Sequence, residues 1–318
     1  MSDPTVSVVV TAHRRTKYLP EALSSLERQT RPPDEVVVVE DNPPYGRPSV
    51  DPPTLPFQWV NRGDLSAVGD KDAFGLSSAR GDIVAFLEDD DRFVAGKIRH
   101  IVEVFGHYPE VVFLRNRLAY IGPQGEALPP PSRIRSHPEG IVPPTPSAMS
   151  RGLMTLNTSA MSVRRSAYLP VLRFYRGWNT SPDILTYWLS VYLGGAAWYS
   201  PMPLTEYRFH SQNTSRADGP RVAEEVIKAH ELARWLVTQS PSGSAAFRIA
   251  KSIERAKRIG SAMASGRVPG PADLSGQVWD AVVRLSAIHF LRVYTEYRYW
   301  RRIRQSSSIP SASVPGPT

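Results

Sequence analysis

Four consecutive acidic residues, Glu88-Asp89-Asp90-Asp91, are the feature of this sequence that most directly indicates chemistry. The apolar pattern DIVAFLE at residues 82–88, typical of a strand buried on both faces of a sheet, runs directly into them. Neighbouring carboxylates repel one another unless a cation lies among them, and Mg²⁺ and Mn²⁺ prefer carboxylate oxygens as ligands. A solvated acidic turn is the alternative. The position directly after a buried strand favours a divalent metal site.

Polar residues also follow two other strand patterns, TVSVVVT at residues 5–11 and DEVVVVE at residues 34–40. Between them, residues 18–30 space leucines as one face of a helix does, with Pro20 in the first turn. Strand, helix and strand in this order predict a right-handed βαβ unit. Ligands of open α/β sheets bind beyond the carboxyl ends of the strands. We therefore expect Thr11 to His13, Glu40 to Asn42 and Glu88 to Asp91 to form one site.

The remaining patterns predict an α/β region to about residue 215 and a helical region after it. Strand patterns occupy residues 57–61, 110–115, 154–164 and 197–209, and helix patterns occupy 66–80, 95–107 and 183–193. A hairpin is expected near Gly122 and Gly125, and the proline-rich stretches 43–56 and 129–146 predict long irregular loops. Helical stretches at residues 220–239, 244–264 and 276–304 complete the pattern.

Composition excludes several classes of protein. The 318 residues contain no cysteine, which rules out disulfides, zinc–thiolate sites and iron–sulfur clusters. MSDPTVSVVV lacks the basic and apolar regions of a signal peptide, and no window is apolar enough for a membrane span. The net charge of +8 belongs to residues 221–304, where Lys and Arg exceed Asp and Glu by eight. We expect a cytoplasmic protein with an anionic partner.

Three segments in this order, VSVVVTAHRRTKYLPEALSSLERQT, DEVVVVEDN and ARGDIVAFLEDDDRF, resemble the nucleotide-binding half of family 2 glycosyltransferases. The resemblance implies the Rossmann-like GT-A fold, an α/β domain with a mixed central sheet. It covers residues 5 to about 215. We accordingly expect a transferase domain at 1–215, with a nucleotide-binding half at about 1–115 and an acceptor half at about 116–215. A helical extension at 216–304 and a disordered tail at 305–318 would follow.

The resemblance implies a donor site and a metal site. The residues that correspond to nucleotide-sugar contacts are Thr11, Ala12, His13, Asp41, Lys71, Asp89, Asp90 and Arg208, and those that correspond to ligands of Mn²⁺ or Mg²⁺ are Asp90, Asp91 and His210. Asp41 would accept a hydrogen bond from the base, usually uracil, although a turn-forming role before Pro43 is the alternative. Asp90 is the first choice for a direct metal ligand. For His210, a hydrogen-bonded surface residue is the competing interpretation.

Asp183 corresponds to the catalytic base of the family, which begins an aromatic-rich helix. A carboxylate there would take the proton of the acceptor hydroxyl while that oxygen attacks from the face opposite the leaving nucleotide diphosphate. The metal would neutralise charge on the diphosphate. The alternative is an acidic residue that only complements the helix dipole.

The sequence departs from the family pattern in two places. The family often has an Arg-Asn pair in the helix before the acidic strand, where this chain has Gly69-Asp70-Lys71-Asp72-Ala73. The family often has Glu before its base, where this chain has Pro182. The segment Glu231-Leu232-Ala233-Arg234-Trp235 is similar to a motif of processive synthases but lacks its Gln, so we interpret Trp235 as a packing residue and predict transfer of a single sugar.

The basic and aromatic segment at residues 290–304 leaves two interpretations open. It could lie on an anionic membrane surface, which would suit a lipid-linked acceptor and peripheral contact with the inner face of the cell membrane. It could equally pack on its own domain or in a homodimer. No recognition motif accompanies the charge, so we expect no nucleic-acid partner.

Together these features predict a metal-dependent, inverting glycosyltransferase that uses a UDP-sugar or a GDP-sugar and a hydroxyl acceptor such as a glycan or a lipid-linked sugar. A nucleotidyltransferase acting on a sugar phosphate is one rival, which the absence of glycine beside His13 disfavours. A non-catalytic binding or scaffold protein with the same fold is the other.

Overall fold

The computed structural model describes residues 3–13, 16–130, 137–143, 157–179, 182–210, 219–251 and 253–254. The expected helix at 276–304, the tail at 305–318 and the polar stretch 211–215 lie outside these residues. Of the expected helix at 244–264, residues 245–251 and 253–254 are described and are helical.

In the described ranges the strands form one sheet. They are β1 (Val6–Ala12), β2 (Glu35–Glu40), β3 (Phe57–Asn61), β4 (Ile83–Glu88), β5 (Arg92–Phe93), β6 (Val111–Ile121), β7 (Ala127–Leu128), β8 (Gly140–Val142), β9 (Met161–Arg164) and β10 (Ala196–Arg208). The described α-helices are α1 (Leu19–Glu27), α2 (Val68–Ser78), α3 (Lys97–His107), α4 (Arg165–Tyr168), α5 (Pro182–Tyr192) and α6 (Gly219–Gln239). Short 3₁₀ helices occupy Thr158–Ala160 and Leu169–Tyr175.

The sheet is mixed, as the sequence predicted. Its order is β3-β2-β1-β4-β9-β6-β10-β5, with β7 beside β6 and β8 beside β10. Strands β3, β2, β1 and β4 are mutually parallel, and β6 is parallel to β10. Strand β9 lies antiparallel between β4 and β6 and joins the two parallel parts. The carboxyl ends of β1, β2 and β4 therefore meet at one edge.

Two strands differ in extent from the sequence prediction. Strand β6 continues to Ile121 because β10 pairs with it along its whole length, and the expected hairpin at Gly122 and Gly125 joins it to β7. Of the expected strand at 154–164, residues 154–156 lie outside the described residues, and β9 begins at Met161 because the polar residues from Asn157 to Ser159 turn instead of extending. Such residues favour turns through their side-chain hydrogen bonds.

The sheet buries an apolar core on each face, which explains why its parallel strands are apolar at consecutive positions. Val8 and Val10 of β1 pack with α1 and α3, while Val9 faces α2 and α5. Helix α6 also packs in the core that contains Val9, through side chains including Leu232 and Leu236. Each such side chain contributes about 1.5–3 kcal/mol when fully buried.

Trp235 of α6 contacts the rings of Phe174 and Tyr192, with centroids 4.5 and 5.2 Å away. These contacts make it a packing residue. Among the described residues, no helix combines the length and the apolar character that crossing a bilayer requires.

Candidate active site

The register of the sheet brings the three strand ends together. Thr11 pairs with Glu88 of β4, and Ala12 pairs with Glu40 of β2. The Asp89 backbone N–H continues the ladder by donating to the Thr11 carbonyl over 3.0 Å. The polar residues selected from the sequence at these strand ends therefore line one edge of the sheet.

Asp41 lies fully buried directly after β2, and two basic side chains surround its carboxylate. His13 Nδ1 lies 3.0 Å from it, and the buried Lys71 Nζ of α2 lies 3.2 Å from its Oδ1. Burial by itself raises the pKa of Asp41, but the His13 hydrogen bond and the Lys71 charge outweigh it and leave the pKa below its usual range. Asp41 is therefore an ionised, fixed hydrogen-bond acceptor.

The proline-rich loop after Asp41 is held by the buried side chains of two flanking residues. Glu40 accepts hydrogen bonds from Trp59 Nε1 at 2.7 Å and from the Ser49 backbone N–H at 3.0 Å. Asn61 Nδ2 donates to the Asn42 carbonyl at 2.6 Å. These bonds fold the loop back over the end of β2 and fix the position of Asp41.

The acidic segment after β4 forms a cluster of three carboxylates. Glu88, Asp90 and Asp91 each offer an oxygen within 4.8 Å of the other two. Burial and then the charge of Asp90 raise the pKa of Glu88 well above its usual value and that of Asp91 to about 7. A concentrated set of carboxylate oxygens, two of its three residues buried, suits a hard divalent cation. The donor set thus fits Mn²⁺ or Mg²⁺.

His210 lies beside this cluster, after β10. Its Nε2 is 2.9 Å from Oδ2 of Asp90, its side chain is buried, and the Tyr18 ring lies 5.1 Å from its own. The structure therefore brings all three predicted metal ligands, Asp90, Asp91 and His210, to one place and adds Glu88 to them.

Arg208 ties the end of β10 to the acidic segment. Its backbone N–H donates to Asp91 Oδ1 at 2.9 Å, and its Nε donates to the Asp90 carbonyl at 2.8 Å. The rest of the fully buried guanidinium contacts Glu21 and the carbonyls of Gly122 and Pro123. In this structure the guanidinium holds the acidic segment, and the diphosphate contact expected from the sequence stays a prediction.

Asp183 lies buried in the first turn of α5. The segment before it docks on the start of α2. There the Gly69 N–H donates to the Trp178 carbonyl, and Asp70 accepts from the Gly177 N–H, both at 2.8 Å. Burial is the main cause that raises the pKa of Asp72 and that of Glu88, and Asp183 is close enough for its charge to contribute to both. The predicted base therefore lies near the carboxylate cluster.

Two buried residues that support the cluster were not identified from the sequence. Asn157 Nδ2 donates to Asp91 at 3.0 Å and to Glu88 at 3.2 Å. Lys97 is fully buried behind Asp91 and donates to the Ser159 carbonyl and to a second acceptor, the Thr205 hydroxyl. Both lie far along the chain from their partners, and no local pattern marks them.

Comparison with known proteins agrees with this geometry. Residues 7–50 match the family model described as glycosyl transferase family 2. This part of the chain is therefore similar to family 2 glycosyltransferases. It is 31% identical over 108 residues to an uncharacterised glycosyltransferase of Nostoc sp., a match that covers 31% of this chain and 32% of the relative. It is 33% identical over 104 residues to the uncharacterised glycosyltransferase YwdF of Bacillus subtilis, covering 31% and 37%.

The matches to these curated glycosyltransferases span about a third of their length. A solved structure of S. aureus TarS 1–349 in complex with UDP-GlcNAc covers more of the glycosyltransferase fold. It is 17% identical, has a TM-score of 0.60, and the match covers 95% of this chain and 91% of that one. The complex of the same fragment with UDP has a TM-score of 0.56 at 15% identity and covers 98% and 95%. These likenesses confirm the predicted GT-A fold.

Proposed function

We propose that this protein is a metal-dependent, inverting glycosyltransferase that moves one sugar from a nucleotide-diphosphate sugar, with a UDP-sugar favoured, to a hydroxyl acceptor. The observation that carries the proposal is the carboxylate cluster of the half-buried Glu88 and the buried Asp90 and Asp91 at the carboxyl end of β4, near the buried Asp183. A separate buried carboxylate, Asp41, lies at the end of β2. The solved TarS complexes with UDP-GlcNAc and UDP support a nucleotide-sugar donor.

Each of these groups has a role in the proposed reaction. Asp41, kept ionised by His13 and Lys71, accepts a hydrogen bond from the nucleotide base. A divalent cation held by Asp90, Asp91 and His210, with Glu88 beside them, would neutralise charge on the leaving diphosphate. Because the cluster repels further negative charge, the cation is needed before a diphosphate can bind there.

Asp183 performs the proton transfer. Its carboxylate removes the proton of the acceptor hydroxyl as that oxygen attacks the anomeric carbon from the face opposite the diphosphate. The attack inverts the configuration at that carbon. Docking of the preceding segment on α2 holds the carboxylate in place for this step.

The acceptor is proposed to be a glycan or a lipid-linked sugar. We also propose that residues 290–304 make peripheral membrane contact or form a dimer, on the basis of the sequence pattern. The division into a domain at 1–215 and a helical extension rests on the same pattern.

The function is tested by Asp183→Asn, which keeps the size of the side chain and removes the base. We expect transfer to fall by about 10²–10⁴-fold, the usual contribution of general base catalysis. UDP affinity, measured by calorimetry with Mn²⁺, should stay within twofold of the unsubstituted protein. The matched control is Asp64→Asn, an exposed carboxylate before α2 that should change neither quantity.

Several outcomes would contradict parts of the proposal. Undiminished transfer in Asp183→Asn would remove this residue from the role of base. Equal UDP affinity with and without Mn²⁺ would contradict the proposed metal dependence. Preference for GDP over UDP would redirect the donor to GDP-sugars, and binding of neither nucleotide by folded protein would contradict the transferase proposal as a whole.

A further inference from the structure

Asp72 is a buried carboxyl that the proposed mechanism does not use. It lies in α2 with 1% of its side chain exposed, and its Oδ1 has no hydrogen-bond partner among the described residues. Burial of a polar atom without a partner costs free energy, and most buried polar atoms in proteins are paired. A carboxyl left in this state at a functional edge of the sheet points to a ligand group that pairs with it when bound.

Electrostatic interactions show which charged groups lie near Asp72. Burial is the main cause that raises the pKa of Asp72 to about 7; the charge of Asp183 adds to this shift, and the charge of Lys71, its neighbour on the helix, opposes it. Burial is also the main cause of the raised pKa of Glu88, at the metal cluster, and of Tyr175, in the segment that leads to α5, and the charge of Asp72 contributes to both. Asp72 therefore lies near the carboxylate cluster and near the proposed base, while Lys71 Nζ lies 3.2 Å from Asp41 Oδ1.

This space is where the transferred sugar must be, if the proposed function holds. The diphosphate leaves toward the cation at the cluster, and the attacking oxygen comes from the side of Asp183. The anomeric carbon lies between them, so the hexose ring attached to it must occupy a region near Asp72. A hexose carries several hydroxyl groups, and a carboxyl oxygen is a strong acceptor for them.

We infer that Asp72 is a specificity-determining residue that accepts a hydrogen bond from a hydroxyl of the donor hexose. The inference rests on the proposed function. It adds to that function a residue that recognises the sugar, whereas Asp41 is proposed to recognise the nucleotide base. A sugar that presents a hydroxyl to Asp72 is preferred over an isomer that leaves the carboxyl unpaired, because an unpaired buried acceptor penalises the wrong ligand.

The test compares two affinities in each variant by calorimetry with Mn²⁺: that for UDP, and that for each of a panel of UDP-hexoses which includes UDP-GlcNAc. In Asp72→Ala we expect the affinity for the preferred UDP-hexose to fall about tenfold, as removal of a hydrogen bond to a charged group does, with UDP affinity within twofold. In Asp72→Asn the affinity for the preferred UDP-hexose should fall less, because the amide oxygen still accepts a hydrogen bond. Asp64→Asn is the matched control and should leave both affinities unchanged.

A thermal unfolding scan separates this role from a structural one. Removal of an unpaired buried carboxyl should leave the melting temperature of Asp72→Ala equal or higher, whereas loss of a structural contact would lower it. Lost sugar affinity without lost stability supports the inference. An unchanged ratio of UDP-hexose to UDP affinity in folded Asp72→Ala overturns it, as does equal affinity of the unsubstituted protein for UDP and every UDP-hexose. Absence of UDP binding overturns the proposed function, and this inference with it.

Discussion

The buried carboxyl groups in the candidate site have pKa values shifted in opposite directions. Asp41 is compensated by His13 and Lys71, and its pKa lies below the usual range. Asp72 and Asp91 are undercompensated, and burial raises the pKa of each to about 7. The first arrangement gives a permanent acceptor. In the second arrangement, the carboxyl groups ionise at a low cost in free energy only when a ligand or a cation is bound beside them.

This difference predicts how stability depends on pH. In the unfolded chain Asp72 and Asp91 lose their protons near the ordinary value of 3.8, but in the folded protein they keep them to about 7. Between these values the folded state binds more protons, so the free energy of unfolding falls as pH rises, and the loss is complete above 7. We expect the metal-free protein to melt at a lower temperature at pH 8 than at pH 6, and Mn²⁺ to raise the melting temperature more at pH 8.

Asp72→Asn isolates one contribution to this slope, since an amide does not titrate. The variant should show a smaller loss of melting temperature from pH 6 to pH 8 than the unsubstituted protein, measured without metal by differential scanning calorimetry. Asp64→Asn should keep the original slope because Asp64 is exposed and paired with Arg62 at the surface. Identical slopes in all three proteins would show that Asp72 is ionised throughout this range.

At the scale of elements, helix α2 positions both halves of the site. Its first turn docks on the segment before α5, and a Cβ at Gly69 would overlap the Tyr175 carbonyl oxygen and lie too close to the Trp178 side chain. Backbone cannot move aside as a flexible side chain can. Only glycine allows α2 and this segment to approach so closely.

Gly69→Ala should therefore separate α2 from the segment that leads to Asp183. We expect a loss of about 1–3 kcal/mol in the free energy of unfolding, as for other overpacked sites, and a fall in the transfer rate. Gly96→Ala is the matched control, because a Cβ there meets no atom within 4 Å and its φ of −86° is one that alanine adopts without strain. Denaturant unfolding and transfer rates measure both effects; equal behaviour of the two variants would refute the docking argument.

Elements could be predicted from the sequence where the signal is local. The valine-rich runs of β1 and β2, and the leucine spacing of α1, indicated the βαβ unit and hence the placement of Asp41 and the acidic segment at the same edge of the sheet. Other features depend on residues distant in the chain. Asn157 reaches Glu88 and Asp91 across nearly seventy positions, and no periodic pattern records such a contact.

The burial of Arg208 shows the same limit in another form. The sequence predicted a diphosphate contact for it, which stays a prediction, and could not show that Glu21 and backbone carbonyls surround the guanidinium. Likewise, Asp72 was visible in the sequence only as part of the stretch that stands where the family often has an Arg-Asn pair. Its functional interpretation required the positions of Glu88 and Asp183 around it.

At the scale of the whole molecule, helix α6, which follows β10, shares the core of the α/β region. Helix α6 buries Ala229, Leu232, Ala233 and Leu236 in the cluster that also contains Tyr175 and Leu185. The aromatic contacts of Trp235 add to this packing. Because the same cluster supports the start of α5, the stability of α6 and that of the candidate site are linked.

Leu236→Ala should accordingly destabilise the whole protein and not only α6. We expect a loss of about 2–5 kcal/mol, with a single unfolding transition seen both by tryptophan fluorescence and by circular dichroism. Glu231→Ala, at an exposed position of the same helix, should cost less than about 0.5 kcal/mol. Two separate transitions in Leu236→Ala would instead mean that α6 unfolds independently.

The adjacency of Lys71 and Asp72 on α2 has a consequence for how this protein could acquire a new donor. Consecutive helical residues are fixed about 1.5 Å apart along the axis and about 100° around it. One contacts the carboxylate proposed to read the base, and the other faces the space proposed for the hexose. Any tilt of α2 that makes room for a bulkier sugar also displaces Lys71 from Asp41. Directed evolution toward such a sugar must therefore reshape the segments that face the helix and leave the helix itself where it is.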